Sequence, residues 1–178
     1  MEKFSDYLLN EKNLIMKFDI MKSLSRREKV FFDNTVIFKV EVAKLFIKTM
    51  NIAVDENLVL TAGLLYSCKK NMEVSNQREL VEKQTCFLRE LGFNDRFCKI
   101  CEQVNMHSLK ELREKEADIL FLVECFGELV LDKPERKGYK IEKAIEIMEK
   151  QILNNQYNLY KEEFEQFMKI MQDIYIYI

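Results

Sequence analysis

The chain has 178 residues, of which 48% are hydrophobic and 33% charged, a balance that excludes a disordered polypeptide. Its 28 Lys and Arg face 30 Asp and Glu, so the net charge is −2, and the basic excess that drives nucleic-acid binding through counterion release is absent. A domain of this size buries about 70% of its extended surface and needs neither disulfide nor metal to fold. With four Gly and one Pro there are few places to break a helix, so helix is the default expectation.

The opening segment, residues 1–32, is amphipathic, with Phe4, Leu8, Leu14, Phe18 and Met21 as its apolar positions. It has no basic n-region followed by an apolar stretch, so it does not read as a signal peptide. Asp33 or Asn34 is placed to cap a long helix striped by Phe38, Val42, Leu45, Phe46 and Met50. Asn51 to Asp55 reads as a loop ending in a second cap, Asp55, and the helix after it carries Leu58, Ala62 and Leu65 to about Lys70. A polar stretch to Gln77 precedes a helix over 78–91, which Gly92 can terminate in a left-handed turn. Asn94 then caps a helix with Phe97, Cys101 and Val104 on one face.

From Glu114 to Val130 apolar residues fall on every side, the pattern of a helix at the buried centre of its fold. Pro134 and Gly138 bracket a loop before a helix marked by Ile141, Ala144, Ile145 and Met148. In the tail, residues 153–178, Leu153, Tyr157, Tyr160, Phe164, Phe167, Met171, Ile174 and Ile178 recur at alternating spacings of four and three. That heptad stripe predicts a helix packed along another helix. It either docks on its own domain or offers Tyr157, Tyr160, Phe164, Phe167, Met171 and Ile174 as a dimer seam or partner surface. The alternation Ile174-Tyr175-Ile176-Tyr177-Ile178 would suit a strand equally well.

The longest apolar run, Ile119 to Val123, is far short of the ~20 residues that a membrane span requires. Cys68, Cys86, Cys98, Cys101 and Cys125 are odd in number and scattered through apolar helices, as expected of reduced, mostly buried thiols in the cytoplasm. Cys98 and Cys101 form a Cys-x-x-Cys, but within a helix and without two further ligands, so zinc is not expected. His107 is the only histidine and reads as a solvated helix-end residue.

Several segments resemble the HD-GYP branch of the HD phosphohydrolases. Glu41-Val42-Ala43 stands where that family has an Arg-Val-Ala-like step, and Gly63-Leu64-Leu65 where Ala-Leu-Leu leads into the His-Asp pair. Phe87 to Phe93 resembles the helix ending in Leu-Gly. Ala117-Asp118-Ile119-Leu120 through Leu129 resembles the central helix, and Asp132-Lys133-Pro134-Glu135-Arg136 the Asp-Arg-Pro-Tyr-Arg segment. The resemblance spans roughly residues 33–150 and implies an all-α, HD-domain-like helical bundle, set here at residues 33–152, with an extra C-terminal amphipathic helix.

The family's metal ligands are missing. The first histidine position is Phe38, the His-Asp pair is Tyr66-Ser67, and the His-His-Glu run is Val104-Asn105-Met106. The Gly-Tyr-Pro loop is absent too. Glu124, in the family's acidic position, is the one remaining ligand, and a lone carboxylate does not hold a catalytic metal cluster. The resemblance therefore implies a pseudoenzyme without cofactor: a non-catalytic regulatory or adaptor domain that binds another protein. Alternatives are a cyclic di-GMP sensor using Lys70, with Lys69 beside it, and Arg136 against phosphates, or a residual phosphohydrolase. Gly63 and Gly127, inside helices, mark close helix packing or a ligand pocket.

Overall fold

The structure is a computed structural model that describes residues 3–28, 35–68, 75–106, 113–153 and 158–175. Among these residues the chain forms nine α-helices: α1 (Phe4–Asn10), α2 (Leu14–Glu28), α3 (Thr35–Thr49), α4 (Glu56–Leu65), α5 (Gln77–Glu90), α6 (Asp95–Asn105), α7 (Lys115–Val130), α8 (Ile141–Ile147) and α9 (Lys161–Tyr175). A π-helical turn, Met148–Leu153, continues α8. The only extended pairing among the described residues is an isolated bridge between Lys133 and Arg136. The protein is all-α, as the sequence predicts.

Local chemistry sets most of the boundaries. The Asp55 side chain accepts from Leu58 N at 3.0 Å and opens α4. Asn94 does the same for Phe97 N at 2.9 Å at the start of α6. Each satisfies one of the amide donors that a helix start leaves without a partner. Asn76, which the sequence reading did not single out, caps α5 through Glu79 N, and the Glu79 carboxylate reaches back to Ser75 N at 2.8 Å. Gly92, at φ +94°, ends α5 in a left-handed turn that side chains with a Cβ rarely adopt. The amphipathic opening segment forms two helices, broken at 11–13, where Asn13 accepts from Ile15 N at 3.0 Å. α4 ends at Leu65, earlier than its apolar pattern suggests. Asp33, Asn34, Lys69, Lys70, His107, Tyr157 and Ile178 lie outside the described residues.

Helix α7 is the centre of the bundle, packed by α3, α4, α6 and α8. Ala117, Ile119 and Leu122 are sealed from solvent, as an all-round apolar helix requires. α3, α4 and α7 meet at Gly63, where a Cβ would lie 3.0 Å from Val40 Cγ2 and 3.1 Å from Leu120 Cδ2. α1 and α2 cover α4, while α5 backs α6.

α9 lies on α3 and α8. Phe164 packs edge-on against Phe46 with ring centroids 4.9 Å apart, and Phe167 lies 5.2 Å from the same ring. Tyr160, Phe164, Phe167 and Met168 are all buried within the core that α3 and α7 share. From Tyr160 to Met171 the heptad stripe therefore faces its own domain. The helix continues through Ile174 and Tyr175.

Candidate functional site

The residues that the HD-GYP resemblance aligns with metal ligands sit on four elements: α3, the C-termini of α4 and α6, and α7. Each element brings its side chains there by its own apolar register. On α3, Val36, Val40, Ala43 and Ile47 face inward, and Lys39 falls on that same face, 6% exposed. A lysine so placed must bring its own partners, because burying an isolated charge costs several kcal/mol.

The partners are on α7. Lys39 Nζ lies 2.7 Å from Glu124 Oε2 and 2.9 Å from Glu128 Oε1, carboxylates one helical turn apart. The lysine stem reaches them across Gly127, where a Cβ would come within 2.8 Å of Lys39 Cγ and Cε. Any side chain at 127 would displace the stem. Gly127 is thus the gap that lets the ammonium lie between the two carboxylates.

Both carboxylates carry further bonds. The Tyr66 hydroxyl donates to Glu124 Oε2, and Lys133 Nζ pairs with Glu128 Oε2. Burial works to lower the Lys39 pKa, but the adjoining Glu124 and Glu128 charges outweigh it and hold the ammonium above its usual range. Burial works against ionising Glu128, yet the bonds from Lys133 and Lys39 bring its carboxyl down to about 2. At neutral pH Lys39 and Glu128 are therefore ionised and paired within the cluster.

A second layer of hydrogen bonds fixes Tyr66. Gln84 Nε2 donates to the carbonyls of Leu65, at 3.1 Å, and Tyr66. Asn105 Nδ2 donates to Tyr66 O at 2.7 Å, Gln84 Oε1 at 3.1 Å and Cys101 O at 3.0 Å. Asn105 thus satisfies carbonyls at two helix ends. Val104 beside it is buried, and Met106, which ends α6, is half-buried like Ser67. Tyr66, Asn105 and Glu124 therefore join one hydrogen-bonded network, to which Val104 contributes apolar bulk.

Phe38, one position before Lys39, lies elsewhere. It lines an apolar groove together with Val42 and Leu45 of α3, Phe126 and Val130 of α7, and Phe167 and Met171 of α9. Arg136 donates to Leu129 O at 3.2 Å, Lys137 O at 3.1 Å and Glu128 O, and its guanidinium lies 4.8 Å from the Tyr139 ring centroid. Its donors therefore close the C-terminus of α7.

Lys39 is the residue that sequence reasoning missed, and its signal was present. A lysine falling on the apolar stripe of α3, with Glu124 and Glu128 spaced i, i+4 in the apolar second half of α7, is the signal of a buried ion pair. Lys17 on α2 has the same signature between Leu14, Phe18 and Met21. It is sealed from solvent and donates to Leu8 O at 2.6 Å and Thr61 Oγ1 at 2.7 Å. Burial dominates there and lowers its pKa to about 8 against the opposing pull of Glu11 and Asp55.

Among the described residues no group of three or more His, Cys, Asp and Glu side chains is arranged to hold a metal ion. Cys68, Cys98 and Cys101 are buried, Cys125 is half-buried and Cys86 exposed, all as free thiols. Burial pushes the Cys101 thiol well above its ordinary value and Cys125 to about 12, which keeps both in the unreactive protonated form. Among the described residues no helix is long and apolar enough to cross a membrane.

Comparison with protein-family models, with curated proteins and with solved structures found no match.

Proposed function

We propose that the chain is a non-catalytic regulatory or adaptor domain of HD-GYP type that acts by binding another protein. The observation that carries this reading is the Lys39 ammonium between Glu124 and Glu128. Where the resemblance implies divalent cations held by histidines and carboxylates, this chain supplies a fixed organic cation of its own. Glu124 Oε2, on the one acidic ligand position left, is already engaged by Lys39 and the Tyr66 hydroxyl. A metal arriving there would have to expel a buried ammonium held by two carboxylates.

Lysine cannot take over the metal's work. It stabilises anionic charge, but it neither presents an open coordination position nor activates a bound water as a divalent ion does. A cluster of this kind instead ties α3 to α7 and Tyr66 to both, which preserves a rigid bundle and leaves its surface to evolve. Exposed apolar side chains supply contact area: Tyr7 of α1 is 51% exposed, with Ile15 at 69% and Met16 at 45% on the adjoining start of α2. Aromatic and Met side chains are the kinds enriched where proteins meet.

The test has two arms on the full chain. The first assays hydrolysis of bis(p-nitrophenyl) phosphate and of cyclic di-GMP with manganese, beside a Glu124→Gln variant. No turnover above that variant is expected, whereas manganese-dependent turnover lost in the variant would establish the residual phosphohydrolase instead. The second captures partners by crosslinking with the native chain and with Ile15→Glu/Met16→Glu. A partner retained by the first and lost by the second, at an unchanged melting temperature, supports the adaptor reading. Capture of identical proteins by both would remove the α1–α2 surface from it.

A further inference from the structure

The apolar groove beside Phe38 is separate from the Lys39 cluster, and neither the resemblance nor the reading above assigns it a role. α3 contributes Phe38, Val42 and Leu45 to it, the end of α7 contributes Phe126, Val130 and Leu131, the α7–α8 loop and α8 contribute Tyr139 and Ile141, and α9 closes it with Phe167 and Met171. Its volume is about 600 Å³, inside the range of roughly 300–1,000 Å³ of small-molecule sites. Leu45 and Tyr139 at its mouth remain 42% and 41% exposed.

The polar groups around the groove have one predominant sign. Among the described residues Lys44, Lys48 and Lys140 stand at its rim with a single carboxylate, Glu41. Lys48 also faces Glu56 at 3.8 Å, an exposed pair of little energetic weight. An apolar floor with an ammonium rim is complementary to a molecule that has a hydrocarbon body and an anionic head.

Size argues against a folded partner as the occupant. A stable protein interface involves about 20–30 residues a side, and fourteen of the described residues line this groove. We infer that the groove between α3, α7 and α9 binds a single-chain anionic amphiphile of the fatty-acid class, its chain over Phe38, Leu45, Val130 and Met171 and its carboxylate against Lys44 and Lys140. The inference uses residues outside the Lys39 network and stands or falls separately from the absence of catalysis.

The experiment is a calorimetric titration of the full chain with decanoate below its micellar concentration, beside decyltrimethylammonium and decanol. Saturable one-to-one binding of decanoate is expected, with the cationic analogue bound roughly tenfold or more weaker. Lys44→Glu/Lys140→Glu should weaken decanoate by a similar factor, and Leu45→Glu should abolish it. All three substituted positions are at least partly exposed, so the melting temperature of the free protein checks that the fold is retained. Non-saturable heats, equal binding of the cationic analogue, or unchanged affinity in both variants would overturn the inference. Preference for phosphatidylglycerol vesicles over dissolved decanoate would also overturn it, by identifying a membrane surface as the ligand.

Discussion

Replacing Lys39 by Met keeps the length of the stem that lies over Gly127 and deletes only the ammonium. The unscreened attraction between Lys39 Nζ and Glu124 Oε2 at 2.7 Å is about 6 kcal/mol at an effective dielectric of ~20. Most of that offsets the cost of burying the two charges, whose side chains are 7% and 17% exposed. Removing one partner leaves the other buried and uncompensated, which typically costs about 3–5 kcal/mol. Glu124 retains the Tyr66 hydroxyl, so the lower end applies: about 3 kcal/mol, or a fall in Tm of about 6–12 °C for a domain of this size. The assay is thermal and urea unfolding of Lys39→Met, Glu124→Gln and the double variant. Neutralising Glu124 removes the stranded charge, so the double variant should be more stable than the two single losses added together predict, by about 1.5 kcal/mol or more. Additivity of the two changes within about 0.5 kcal/mol would refute the claim that this pair is coupled through a desolvated contact.

Phe164→Ala should cost about 3–5 kcal/mol, because the ring is fully buried between Phe46 and Phe126, and sedimentation should show no change in mass of the folded protein; a dissociating dimer would contradict the intramolecular packing of α9. Lys17, lowered to about 8 in the fold against about 10.5 unfolded, is a group on which the unfolded chain holds the extra proton between those values. Its penalty is fully present below pH 8 and relieved as pH rises towards 10.5, so Lys17→Met should flatten a rise in stability over that window in chemical denaturation; an identical pH profile in the variant would exclude it. Titration of the native protein with a disulfide reagent should find Cys86 fast, with Cys68, Cys98 and Cys101 reacting only at the rate of unfolding; several fast thiols would mean that the α4–α6 interface opens readily.

What the sequence determined was local. The caps at Asp55 and Asn94, the left-handed turn at Gly92, and the central place of the all-round apolar helix from 115 to 130 were legible, since each depends on residues within one or two turns. The C-terminal end of α4 was less so, because apolar periodicity runs on past the point where the helix stops. The aromatic stripe from Tyr160 to Met171 predicted a packed helix without saying against what, because a heptad face is the same whether its groove lies in its own chain or another. Tertiary structure decided that it is α3, through Phe46.

Tertiary structure also decided the site. Lys39 and Glu128 are 89 residues apart, and nothing local ties them. Lys39 is an anomaly on a buried face until the crossing of α3 and α7 at Gly127 gives that charge its partners. The groove beside Phe38 is likewise invisible in the sequence, since a void is defined by the distance between helices and not by the residues on any one of them.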